Sequence, residues 1–576
     1  MHFKRRLLTC ASAAAFALAS HGANADSAES LKSIKNIVVI YQENHSFDNL
    51  YGLWGDVWGD PVNGLNYADL AHTTQVRQDN VTAYLCLLQN DVNLKSPPLP
   101  GPCTDSGGTP VITSDFLNQP FKIDNFIAST DKTCPPPSVF APNGVLKDSA
   151  GALPGGCTRD IVHRFYSEQY QINGGKQNRY VTGSDAAGLT MGHYDTVGMP
   201  ISKYLHRHGA PHYVIADSFF QAAFGGSFLN HQWFIAAATP IFANAVQDGT
   251  SADLHSIVDA NGMPTATPLY VPTTTPVKDS RLTAKCAALP AGSTLACGDY
   301  AINTIQPTYQ PFSPGTTVAN QLPPLTNPTI GDRLSAKGID WAWYSGGWSN
   351  ANGDIDGPGW TNGHGPKCSD PNANTSAVFP NCPDFLFQYH HQALNYFAKY
   401  APGTAARAAH LRDEAEFIQA AKQGKLKPVS FIKPVGEENE HPGYTSESNG
   451  SDHLVDLIKA VVDGPDGNHT LIIVTYDEFG GAWDHVPPPP AAKQAPFNHP
   501  RHGVRGPSDK WGPGTRIPAL LVSKRFHNSG VDHRDYDTTS ILKLIEERFN
   551  LQPLGPRDAA VHSLQHALRE AGMHDD

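Results

Sequence analysis

The chain has 576 residues, 40% of them hydrophobic and 17% charged, with a formal net charge of −12. That apolar content excludes a disordered chain and is ample for a large core. The acidic balance, with no basic block, excludes the electrostatic footprint of a nucleic-acid-binding protein. Gly and Pro, at 51 and 47 residues, exceed their usual share, so long, turn-rich loops are expected.

Residues 1–25 read as an export signal. Lys4, Arg5 and Arg6 precede an apolar stretch from Leu7 to Ala19, and Ala23-Asn24-Ala25 forms a small-x-small cleavage site before Asp26. The stretch is too short to span a membrane, so the mature chain is expected to be periplasmic or secreted. Cleavage there leaves a net charge of −15 and removes Cys10. The other eight cysteines fall as close neighbours, Cys86 with Cys103, Cys134 with Cys157, Cys286 with Cys297 and Cys368 with Cys382. Four local disulfides are the simplest reading for an exported chain, and the short Cys-x-x-Cys spacing of a zinc site is absent.

Strand-like apolar runs follow in chain order: Asn36 to Tyr41, Tyr213 to Asp217, Val429 to Val435, Leu471 to Tyr476 and Ile517 to Val522. Helical patterns cover Phe385 to Tyr400, Thr404 to Gln423 with Gly424 as its stop, Asp452 to Val462, Thr538 to Phe549 and Arg557 to Ala571. Short buried-type strands alternating with helices predict an α/β fold, with a mostly parallel central sheet flanked by helices. The Thr/Pro/Ala/Asn-rich stretch from about 238 to 334 reads as a loop-rich insertion or cap. Because strands lie on both sides of it, residues 26–576 are expected to form a single domain.

In an open α/β sheet the carboxyl ends of the strands face the ligand crevice. The first strand runs out into Gln42-Glu43-Asn44-His45-Ser46-Phe47-Asp48, and a late one into Asp477-Glu478-Phe479-Gly480-Gly481. Acids after strands often cap helices or occupy turns. Acids at two distant strand ends, joined by an amide and with no thiolate, instead suit one divalent cation that prefers oxygen: magnesium, calcium, manganese or iron. Between them Gly225-Gly226-Ser227 is expected to open a helix. An ordinary N-cap serine is the plain alternative to a hydroxyl presented on a sharp turn. His163, the doublet His390-His391 and His441 stand in similar company, with His485 a further candidate. Protonated imidazoles can hold phosphoryl oxygens and protonate a leaving alkoxide.

Together Asn36 to Gly52, Gly225 to His231, Glu440 to Gly443, Thr475 to His485, Gly512 to Pro518 and Arg557-Asp558 resemble the phosphoesterase family of bacterial acid phosphatases and phospholipases C, relatives of the alkaline phosphatase superfamily. The resemblance implies an alkaline-phosphatase-like fold and a metal held by Glu43, Asn44, Asp477, Glu478 and the Ser227 oxygen. It implies Ser227 as nucleophile, with His163, His390, His391 and His441 around the phosphate. The expected activity is that of an exported acid phosphatase hydrolysing small phosphomonoesters through a phosphoserine. Ser227-Phe228-Leu229-Asn230 departs from the threonine, proline and asparagine that phospholipase members often carry there, and the chain stops soon after Arg557-Asp558. Four protonated histidines would favour a dianionic monoester, with best activity below about pH 6.5. The alternatives are a phospholipase C-type phosphodiesterase and a non-enzymatic secreted binding protein.

Overall fold

The computed structural model describes residues 31–77, 79–87, 103–108, 111–125, 129, 160–184, 187–243, 283, 285–289, 291–304, 306–312, 321–361, 387–489 and 506–573. Eight strands form one sheet: β1 (Asn36–Gln42), β2 (His212–Ala216), β3 (Trp341–Ser345), β4 (Leu411–Asp413), β5 (Val429–Lys433), β6 (Thr470–Tyr476), β7 (Ala519–Ser523) and β8 (Gly530–Asp532). Their order is β4-β3-β5-β1-β6-β7-β2-β8. β7 runs antiparallel to both its neighbours, and every other pairing is parallel. The expected α/β architecture with a mostly parallel sheet is therefore present.

Why the central strands could be found in the sequence follows from their burial. β1 lies between β5 and β6, with Val38 paired to both Ser430 and Ile472, and all seven of its residues are buried. A strand covered on both faces selects a continuous apolar run. The flanking helices that matter here are α1 (Phe165–Ile172), α2 (Pro200–His206), α3 (Ser227–Ala236), α4 (Glu414–Gln423), α5 (Glu447–Val462) and α6 (Thr539–Phe549). α5 shows a one-sided apolar stripe, burying Leu454, Leu457, Ile458 and Val461, and it packs against α2. All ten residues of α3 are buried, because it is enclosed by α6 and the turns around Tyr389–Tyr396.

Several expected helices are broken. Phe387 to Tyr400 forms three short 3-10 turns, because Gln392 (ψ 75°) and Phe397 (ψ 134°) leave helical geometry. Thr404 to Gln423 is interrupted by edge strand β4, which pairs with β3, although Gly424 does end α4 with φ 66°. Arg557 to Ala571 contains two short helices, Pro556–Ala560 and Gln565–Glu570. Cys86–Cys103 and Cys286–Cys297 are disulfides as expected, whereas Cys134, Cys157, Cys368, Cys382 and the signal segment lie outside the described residues. So does 244–282, much of the proposed insertion. Among the described residues no helix is long and apolar enough to cross a membrane.

Candidate active site

The pairing of β1 with β6 places two acidic turns side by side. Gln42 and Tyr476 are register partners, and the Asp477 N–H donates to Gln42 O at 3.1 Å. Glu43 and Asn44 therefore leave the sheet next to Asp477 and Glu478. Asn44 takes a left-handed backbone, φ 56°, a conformation asparagine tolerates, and its N–H donates to Asp477 Oδ1 at 3.2 Å. All four side chains are buried. Burial, with the Asp477 charge next in importance, holds the carboxyls of Glu43 and Glu478 well above the usual range; Lys433 partly opposes this at Glu43.

Ser227 arrives from the other side. Gly225 has φ +90°, which favours a residue without Cβ, and Gly226 caps α3, so Ser227 is its first residue. The Ser227 hydroxyl donates to Glu43 Oε2 at 3.3 Å. Because Gly226 provides no side-chain cap, the first N–H groups of α3 can receive a phosphoryl oxygen.

The donor set fits a cation. His441 Nδ1–H donates to Pro442 O at 2.7 Å, leaving Nε2 to accept Asn44 Nδ2 at 3.0 Å. That bond fixes the amide with Oδ1 turned the other way, and Asn44 Oδ1 is buried without a hydrogen-bond partner. Asp477 Oδ2 and Glu478 Oε1 are likewise buried without one, although Asp477 Oδ1 and Glu478 Oε2 accept the N–H groups of Glu478 and Gly480. Three acceptor oxygens drawn from two strand ends suit a hard divalent ion, because unpaired buried carboxylates are costly without a partner charge.

The four expected histidines are brought to this cluster. His163 Nε2 lies 3.4 Å from Glu478 Oε1, and His391 Nε2 lies 3.4 Å from Glu43 Oε1. His390 packs edge-on to His391, with ring centroids 4.3 Å apart, and its charged form would be opposed by Lys433 and His163. Their charge state departs from the expectation. Burial, reinforced by neighbouring cations, pushes His390 down to about 3 and holds His391 and His441 well below the usual imidazole range. Burial thus works against the protonated histidines expected around the phosphate at these three positions.

Sequence reasoning missed two members of the cluster. His231 sits one helical turn after Ser227, donates from Nδ1 to Ser227 O at 2.8 Å, stacks on His391 and lies 4.0 Å from Glu43 Oε1. The i, i+4 spacing from the serine was its signal. Lys433, the last residue of β5, donates to the carbonyl oxygens of Tyr41 and Gln42 and to Glu43 Oε1. A fully buried lysine closing an apolar strand is rare unless paired, and that was its signal. His485 does not join the cluster. It bonds Asp48 at 2.6 Å and Asn63 at 3.1 Å in a separate group completed by Asp484 and Arg516. Arg557 is a clamp, with its guanidinium on the carbonyl oxygens of Ala222 and Gly512 and on Asp537.

The model of the family described as "Phosphoesterase family" matches residues 118–552. "Phospholipase C B" of Mycobacterium tuberculosis (strain ATCC 25618 / H37Rv) is 31% identical over 147 residues, 24% of this chain and 27% of that protein. "Non-hemolytic phospholipase C" of Burkholderia pseudomallei is 32% identical over 145 residues, 23% of this chain and 20% of that protein. "Non-specific phospholipase C6" of Arabidopsis thaliana is 27% identical over 208 residues, 31% of this chain and 36% of that protein. These matches span a fifth to about a third of the relatives' own lengths. A solved structure of an alkaline phosphatase superfamily protein from Vibrio parahaemolyticus is 15% identical, covers 44% of this chain and 56% of its own, and superposes with a TM-score of 0.21.

Proposed function

Because the chain belongs to the Phosphoesterase family, we propose that it hydrolyses phosphodiesters in the manner of a phospholipase C, through a covalent phosphoserine at Ser227. The observation that carries the reading is the Ser227 hydroxyl, held at a helix start 3.3 Å from Glu43 Oε2 and grouped with buried oxygens that lack partners. Glu43, Asn44, Asp477, Glu478 and Ser227 Oγ would hold one divalent cation of the oxygen-preferring kind. A cation bound there lowers the pKa of the hydroxyl and offsets charge on the phosphoryl group.

The protein's own groups supply the rest. Ser227 Oγ attacks phosphorus as the bond to the leaving oxygen breaks; Glu43 Oε2 is placed to take the hydroxyl proton, and that proton is the one the departing alkoxide regains to leave as the alcohol. Water then attacks the phosphoserine, the serine oxygen regains a proton, and a phosphomonoester leaves. First-turn N–H groups of α3, with Lys433 behind Glu43, face the developing negative charge. His163, His390 and His391 border the reacting group, whereas His441 acts on it by orienting Asn44.

The choice of diester over monoester rests on two supports. The matched relatives carry the name phospholipase C. Burial, which disfavours the charged form of His390, His391 and His441, also weakens the electrostatic advantage that a dianionic monoester would gain from four cations. Two disulfides favour an oxidising, extracytoplasmic compartment. β2 and β3 belong to one sheet although 238–334 lies between them, which favours a single domain carrying an insertion.

The test is turnover of p-nitrophenylphosphorylcholine against p-nitrophenyl phosphate by the purified protein, with and without chelator. The expected result is at least about tenfold higher kcat/KM on the diester, abolished by chelation. A preference for the monoester would return the assignment to acid phosphatase.

A further inference from the structure

Three chain-distant segments meet on one buried carboxylate that the roles above leave unused. Glu168 lies in the first turn of α1, which begins just after His163, and it is fully buried. Its Oε2 accepts the Gly225 N–H at 2.5 Å and Gln221 Nε2 at 3.0 Å. Its Oε1 accepts the N–H and the hydroxyl of Thr515 at 2.7 and 2.8 Å. Burial works against the charge and outweighs the hydrogen bonds from Gly225 and Thr515, which oppose it, so the group is pushed up to about 8.

Glycines clear the ground for this convergence. A Cβ at Gly225 would stand 2.8 Å from the backbone N of Phe165, at Gly226 3.0 Å from the His163 ring, and at Gly514 2.5 Å from Glu168 Oε1. Gln221 carries the network further, because its Oε1 accepts the Phe479 N–H at 3.0 Å, directly after Glu478. One carboxylate is therefore joined to the turn before Ser227 and, through one amide, to the turn carrying Asp477 and Glu478. Gly225 has no side chain to hold its own conformation; its N–H is held by Glu168, while its carbonyl oxygen accepts Gln221 Nε2 and Asn230 Nδ2, each at 3.1 Å.

We propose that Glu168 is a positioning residue for the reaction, fixing the Gly225-Gly226-Ser227 turn and, through Gln221, the Asp477-Glu478 turn at the spacing the chemistry needs. This rests on Ser227 as nucleophile. Glu168 makes no hydrogen bond to the serine or to the four other candidate ligands, so it acts on them through the turns it holds. A displacement of about 1 Å at a reacting group can cost about 100-fold in rate.

Glu168→Gln keeps the size and turns an N–H2 toward donors. kcat, KM, bound metal and melting temperature are measured for wild type, Glu168→Gln and Ser227→Ala on the better of the two aryl substrates. Glu168→Gln is expected to lose about 100-fold in kcat per folded molecule, with KM within about 3-fold and metal content unchanged. Folded Glu168→Gln with wild-type kcat overturns the proposal, as does a lower melting temperature with kcat intact. An active Ser227→Ala shows instead that the nucleophile assignment has failed. Should Glu168→Gln not fold, Gln221→Met, which cuts the link to Phe479, is expected to lower kcat about tenfold at constant KM. An unchanged kcat in that variant overturns the proposal equally.

Discussion

Two buried groups of carboxylates and histidines grow from the same pair of strands, and they are finished differently. Beyond Glu43 and Asp477 the chain reaches Asp48 and Asp484, which meet His485 and Arg516. There Arg516 donates to both Asp484 oxygens at 3.0 and 3.2 Å, to Asp48 Oδ1 at 2.9 Å, and to the carbonyl oxygens of Asn63 and Asp217. No side-chain atom of Asp48, Asp484, His485 or Arg516 is buried without a partner. In the group around Glu43, by contrast, Asn44 Oδ1, Asp477 Oδ2 and Glu478 Oε1 lack a hydrogen-bond partner, as do the Nε2 atoms of His231 and His391, which stand 4.0 and 3.4 Å from Glu43 Oε1. Both groups have the residue types of a metal site. Each has an internal cation, Arg516 in the closed group and Lys433 on Glu43 in the open one, but only the closed group is satisfied by it and reads as a structural clamp, whereas the open one keeps buried acceptor oxygens that suit an external charge.

The largest expected effect falls on the open group. Ser227→Ala should lower turnover by about 1000-fold or more, since a covalent step is lost. Its melting temperature should stay at the wild-type value, because the hydroxyl makes one long hydrogen bond. Activity within tenfold of wild type would erase the distinction between the groups.

The reciprocal change tests the closed group. Arg516→Met leaves Asp48 and Asp484 buried without their cation, and a loss of about 3 kcal/mol or more in urea unfolding is expected. Bound metal per folded molecule should not change. Metal loss in this variant would merge the two groups into one functional site.

A third group, Glu414, Glu438 and His453, sharpens the contrast by its pH dependence. Burial alone would lower His453, but Glu414, 2.9 Å from Nε2, and Glu438 overcome this and raise it to about 9. The folded pKa lies above the unfolded value, so the stabilisation is complete below about pH 6.5 and is lost as pH rises through about 9. His453→Gln should therefore cost of the order of 1–2 kcal/mol at pH 6 and progressively less toward pH 9.5. Urea unfolding at both pH values checks this, and a deficit growing with pH would contradict it.

How much was legible in the sequence follows the same physical divisions. β1, β5, β6 and β7 are covered on both faces and announce themselves as Val/Ile/Leu runs. β3 reads Trp-Ala-Trp-Tyr-Ser, β4 is three residues within a helical pattern, and β8 is three residues long, so periodicity gave no warning of them. Nine of the ten candidate site residues converge, His485 being the exception, because strand ends and a glycine-led helix start are local features visible in the chain. Lys433 and Glu168 escaped because their significance lies in long-range contacts, whereas His231 was marked locally by its i, i+4 spacing from Ser227. The expectation of imidazolium charge met the same limit: burial is set by the whole fold, and a histidine's neighbours in sequence do not report it.

The central claim is that the open group holds a cation and the closed group does not. Elemental analysis of wild type, Asp477→Asn and Asp484→Asn after exhaustive dialysis tests it directly. The account predicts one divalent ion per chain in wild type and in folded Asp484→Asn, and a loss of that ion in Asp477→Asn. An Asp477→Asn protein that retains its metal, or a wild type that binds none while still turning over substrate, would contradict it.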